Sequence, residues 1–179
     1  MPSSPTDLFR LVFDLCRFRR EPQDVPYSVN LLAALVAASV ALDALVGGLL
    51  GDAQAALADS ALSAAVVLAL CAIALSIRGL GPRYVQTASA LFACGLLFSL
   101  VQGIVAWLAG SPPASPATPS GVQLILYFVM LALFVWGIGV YAHIMRHAMN
   151  APFGLAVALV ISWVIAYWAL ARVLLPAAT

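Results

Sequence analysis

An all-α integral membrane protein, with five transmembrane helices preceded by an amphipathic interfacial helix, is the fold class this sequence predicts. Three observations carry it. Of the 179 residues 64% are hydrophobic and only 8% are charged, and the mean hydropathy is +1.07. A soluble domain carries about 25% charged residues, which it needs to cover a wet surface. The apolar residues gather in five runs, each near the roughly 20 residues that cross about 30 Å of hydrocarbon. The basic residues are all arginine, eight of them, and seven fall on one side of a five-span arrangement.

The chain divides into a cytoplasmic amphipathic helix and Pro-containing corner (1–28), a five-helix transmembrane bundle (29–175) and an external tail (176–179). The first element is SPTDLFRLVFDLCRFRREP. Ser4 is placed to cap it and Pro5 suits its first position. Asp7, Arg10, Asp14, Arg17 and Glu21 form a stripe at spacings of three and four. Their alternating signs support a helix by about 0.2–0.5 kcal/mol per pair. Leu8, Phe9, Leu11, Val12, Phe13, Leu15 and Phe18 cover the rest. A helix of this kind lies in the membrane interface with its apolar arc in the leaflet; the alternative is a docking face for a partner protein. Pro22 and Pro26 then break the helix at a corner, and Tyr27 stands where a headgroup-level anchor belongs.

Spans are expected at 29–50, 55–77, 85–109, 121–145 and 153–175. Between them, Gly47, Gly48 and Gly51 close the first, Gly79-Leu80-Gly81-Pro82 turns after the second, and Asn150-Ala151-Pro152 turns after the fourth. The connection GSPPASPATPSG, with four prolines and no charge, is an extended spacer. The turn around Asp52 is tight. Arg10, Arg17, Arg19, Arg20, Arg78, Arg83 and Arg146 lie on one side and Arg172 on the other. The Arg-rich side stays in the cytoplasm, so the N-terminus is inside and the C-terminus outside. The late start and full length of the first span argue against a cleaved signal peptide. The bias to Arg, Ala, Leu and Val suggests a bacterial chain, hence an inner membrane. Near-zero net charge leaves no basic surface for nucleic acid.

Small residues recur at three and four in the first two spans: Ala34, Ala38 and Ala41, then Ala61, Ala65, Ala69 and Ala72, with Gly47 and Gly51 as a G-x-x-x-G. Such faces allow close backbone approach in lipid. They serve either a hairpin of these two helices or association with another chain. Four polar residues stand in the outer half of the spans: Asp43, Asp59, Gln102 and Arg172. Asp43 and Gln102 are each seven residues, roughly 10 Å, from the outer end. Charge at depth costs about 2.5–3.5 kcal/mol and seeks a partner inside the bundle. The expectation is therefore that Arg172 pairs with Asp59 or Asp43. The cluster is either a structural lock or the lining of a pathway.

The stretch HIMRHAM, residues 143–149, holds both histidines and two of four methionines. His143 and His147, four apart, share a helical face and could give two ligands to one ion. Met145 and Met149 lie on a nearly opposite face, and a closed transition-metal site needs three or four ligands. The stretch is expected to be the interfacial end of a helix, without metal or other cofactor. Cys16, Cys71 and Cys94 form no C-x-x-C and are expected to be free apolar thiols. Phosphate loops, H-E-x-x-H and G-x-S-x-G are absent. With both His at the inner side and Asp43 and Asp59 at the outer, no catalytic triad is available, and no enzyme is expected.

Five spans with an interior N-terminus, the lead FRLVFDLCRFRREPQDVP and the turn MNAPFG before the last span are similar to bacterial Yip1-type membrane proteins. The resemblance implies a non-enzymatic membrane organiser that works with other membrane components or with itself. It carries over no site residue, since the D-L-Y-G-P-type motif of eukaryotic members has no counterpart here. The competing expectation is a small transporter or channel built around the polar cluster.

Overall fold

The computed structural model describes residues 5–51, 53–110 and 120–175. The cap expected from Ser4, the turn at Asp52, most of the proline-rich spacer and the C-terminal tail lie outside them. Among the described residues the chain is all-helical: α1 (Pro5–Cys16), α2 (Val29–Leu50), α3 (Ala53–Ile77), α4 (Tyr84–Ala109), α5 (Gly121–Met149) and α6 (Phe153–Leu174), with 3₁₀ turns at Pro22–Asp24 and Gly81–Arg83. Helices α2 to α6 are each long and apolar enough to cross a membrane. Their apolar residues run all round, as expected where one side meets helices and the other lipid. Only α1 is amphipathic.

The five long helices form a closed ring. Going round it, α2 packs on α4, α4 on α5, α5 on α6, α6 on α3 and α3 on α2. Helix α1 lies outside the ring on α4 and α5. It buries Val12, Leu15 and Cys16 and leaves Phe9, Phe13 and Phe18 exposed. The apolar arc expected to enter the leaflet is thus divided, one strip seated on the bundle and the other facing outward. The helix also ends sooner than its charge stripe suggests. Phe18 adopts a left-handed φ of 61°, Arg19 N–H donates to Asp14 O at 2.9 Å and Phe18 N–H to Leu15 O at 3.0 Å. This is a Schellman stop with phenylalanine where glycine is usual. Glu21 therefore falls beyond the helix and caps the next turn.

Helix α3 stops in the same way at Gly79 and α5 at Asn150. The ends of α3 and α5 meet at one end of the bundle, where Arg78 and Arg83 reach the last turn of α5 and the corner after α1 reaches His143 and His147. Arg172, near the end of α6, is at the other. Burial is uneven along the helices. On α5 the exposed large apolar side chains run from Val122 to Trp136, and on α4 from Leu100 to Leu108. Nearer the α1 end, Thr87–Cys94 on α4 and most of Val140–Met149 on α5 are buried. The outward-facing apolar belt of α4 and α5 stops at the level of α1.

Candidate functional site

Two polar constellations distinguish this bundle. The first is at the α1 end and is built from HIMRHAM. Helix α5 continues four residues past the expected boundary, to Met149. It does so because its last carbonyls, which a helix cannot satisfy itself, are all met from elsewhere. Ala151 N–H donates to Arg146 O at 3.0 Å. Gln23 Nε2 donates to His147 O at 3.2 Å, and Arg83 Nη1 to Ala148 O at 3.1 Å. Arg78 Nη2 reaches Met149 O at 3.4 Å. The guanidinium groups at this helix C-terminus also suit its dipole.

The histidines join the same knot. His143 Nε2 donates to Arg20 O at 3.0 Å; a carbonyl only accepts, so this nitrogen carries the proton. His147 Nδ1 lies 3.3 Å from Glu21 Oε1. The two rings are 4.5 Å apart between centroids, and Phe18 meets His143 edge-on at 5.3 Å. Two of the four ring nitrogens are therefore engaged with the corner that follows α1. No group of three His, Cys, Asp or Glu side chains is placed to hold a metal ion among the described residues. Two further ties reach α1 and its corner. Trp136 Nε1 donates to Cys16 O at 3.0 Å, and Gln86 Nε2 donates to Val25 O at 2.8 Å. The Cys94 thiol donates to Val12 O at 4.0 Å, with Cys16 beside it, which brings α1 against the middle of α4.

The second constellation is inside the ring. A cavity of about 60 Å³, water-sized, is lined by Asp43 with Ser39, Ser60, Ser63, Ser99 and Tyr141. Ser99 lines the cavity beside Asp43, and Asp59 lies within electrostatic reach of Asp43. The Ser39 hydroxyl is buried without a protein partner. Tyr141 reaches the cavity because Gly95 faces it: a Cβ there would stand 2.7 Å from the Tyr141 hydroxyl oxygen. The sequence offered one signal for these hydroxyls. Ser39 precedes Asp43 by four, so the two share a helical face.

Of the four residues expected to cluster, Asp43 and Asp59 approach each other. Gln102 is half-buried on α4, beyond the residues lining the cavity. The pair expected between Arg172 and a carboxylate does not form. Arg172 is exposed and joins no ion pair among the described residues. The Tyr167 hydroxyl donates to Asp59 instead. Tyr167 and Arg172 are five residues apart, about 140° round a helix of 3.6 residues per turn. With Tyr167 turned to α3, Arg172 is turned away, and depth alone could not reveal that.

The small residues also divide. At the far end of the α2–α3 hairpin, a Cβ on Gly47 would stand 2.8 Å from Ala56 Cβ. Gly51 meets only its own helix end. Ala34, Ala38 and Ala41 on α2 and Ala61, Ala65 and Ala69 on α3 are exposed, outside the bundle. Set against family models, curated proteins and solved structures, the chain matches none.

Proposed function

We propose that this chain is a non-enzymatic bacterial inner-membrane protein, N-terminus cytoplasmic and C-terminus periplasmic, that scaffolds or assists other membrane components. One observation carries the reading. Helices α5 and α6 present Leu, Val, Phe and Trp outward, whereas the middle of α2, from residue 30 to 44, exposes only Asn30 and alanines. Exposed alanines on α3 continue this face. A smooth face on two neighbouring helices suits close packing against another transmembrane helix, of a partner or of a second copy. The resemblance to Yip1-type proteins points the same way. Seven of the eight arginines fall, by sequence, on one side of a five-span arrangement, which supports the orientation through the positive-inside rule. The histidines are engaged as ties, His143 to the Arg20 carbonyl and His147 to Glu21, which supports a structural role for them.

The test is co-purification and crosslinking in mild detergent. A membrane protein, or a second copy, that accompanies the wild type should be lost from an Ala38→Leu, Ala65→Leu variant that still folds. Retention by that variant would overturn the reading. Alkaline phosphatase fused after Thr179 should be active and after Gly81 inactive.

A second reading, a small transporter or channel, is favoured by the cavity at Asp43. An intramembrane carboxylate among hydroxyls is a binding site by default. Proteoliposome flux that vanishes in Asp43→Asn while stability holds would establish it over the first.

A further inference from the structure

We propose that the groove between α1 and the α4–α5 face binds an anionic phospholipid, with an acyl chain along the helices and the phosphate at Arg17 and Arg19. The groove measures about 580 Å³, within the roughly 300–1,000 Å³ of ligand sites. Phe9 and Phe13 form its α1 wall, Leu97 and Val101 its α4 wall, and Leu133 and Trp136 its α5 wall. These side chains offer a hydrocarbon chain dispersion contacts and offer a polar ligand nothing.

Charge selects the head. Arg17 and Arg19 are the charged residues of the lining, and no carboxylate accompanies them. Both are exposed, and among the described residues neither enters an ion pair. Arg17 rests over the Phe13 ring at 5.6 Å, a contact that leaves the guanidinium donors open. A planar guanidinium fork matches phosphate oxygens. The apolar walls and the two guanidinium groups line one continuous groove, so one amphiphile can meet both parts of the site.

The groove also answers a question about the backbone. Phe18 takes a left-handed conformation that costs a bulky residue energy. That turn sends Arg19 to the groove and sets the Phe18 ring against Gly139, 3.5 Å from where a Cβ would stand there. The strained residue thus seals the headgroup end.

The experiment uses the full chain, delipidated in mild detergent and titrated by native mass spectrometry. The probes are phosphatidylglycerol and phosphatidylcholine of the same acyl chains. Two basic side chains near an anionic group, at about 1 kcal/mol each, correspond to a preference on the order of 30-fold for phosphatidylglycerol. The double variant Arg17→Gln, Arg19→Gln should bring both lipids to the same weak affinity. Arg10→Gln, on the same helix but away from the groove, should keep the preference. Leu97→Trp should fill the groove and weaken both lipids. Equal affinities in the wild type, a preference surviving the double variant, or one equally lost in Arg10→Gln would overturn the proposal. So would displacement of phosphatidylglycerol by millimolar sn-glycerol 3-phosphate, which would reveal an anion site without use for the acyl groove. Undisturbed crosslinking between Cys16 and Cys94 in each variant shows that α1 remains seated, so loss of binding is not loss of fold.

Discussion

The hydrogen bond from Tyr167 to Asp59 closes the helix ring between α6 and α3, and its removal has a calculable effect. Tyr167→Phe deletes only the hydroxyl. The ring stays half-buried in the same place, so the packing contribution is kept. Hydrogen bonds between membrane helices couple by about 0.6 kcal/mol on average and up to about 1.7. The partner here is a carboxylate on the inward side of a helix, and hydrogen bonds involving charged groups are stronger than neutral ones. The expected coupling is therefore near the upper limit, about 1–1.7 kcal/mol. It is measured as a double-mutant cycle of Tyr167→Phe with Asp59→Ala, by reversible unfolding in mixed micelles. The cycle is informative because each single change removes the same bond without introducing a larger side chain. Arg172→Ala, altering an exposed side chain with no ion pair, should stay within about 0.5 kcal/mol of wild type. A coupling below about 0.3 kcal/mol would refute the claim that this bond fastens the seam. So would an Arg172→Ala loss as large as that of Tyr167→Phe.

Mild oxidation should join Cys16 to Cys94, detectable as a 16–94 crosslinked peptide after digestion, and Cys71 should stay reduced; a chain whose α1 is unseated would give no such peptide. Gly47→Ala should destabilise by about 1–3 kcal/mol in the same unfolding assay, because its Cβ would stand 2.8 Å from Ala56 Cβ. Gly137→Ala, with nothing within 4 Å of its Cβ, should instead be neutral or gain up to about 1 kcal/mol of helix propensity. Leu15→Ala, at a fully buried position in α1, should cost about 2–5 kcal/mol and raise proteolysis after Arg17 and Arg19.

The spans were legible because crossing a bilayer demands length and apolarity, which are local properties. Gly79 and Asn150 announced their stops because left-handed caps favour those residues. What satisfies the last carbonyls of α5 was not legible: they are met by Arg78, Arg83 and Gln23, which sequence separates from them by more than 60 positions. The seating of α1 was hidden for another reason: an apolar arc has the same composition whether it meets acyl chains or helices. The polar cluster was visible by depth and invisible by azimuth. Asp43 and Asp59 could be set at related levels, but the rotation that offers Tyr167 and withdraws Arg172 is fixed by packing across the ring.

The seat of α1 also sets an order of assembly. Helix α1, translated before the bundle, rests on α4 and α5, and the carbonyls that bind its corner belong to the last turn of α5. At about 5–20 residues per second, on the order of ten seconds separates the emergence of Leu15 from that of Met149. Through much of that interval α4 offers Val12, Leu15 and Cys16 only part of their seat, and α5 completes it. The ring itself cannot shut until α6 reaches α3. A nascent chain arrested before residue 121 would therefore hold an inserted hairpin and α4 beside an unsettled N-terminal helix, and that helix would be the segment by which quality control tells an unfinished molecule from a finished one.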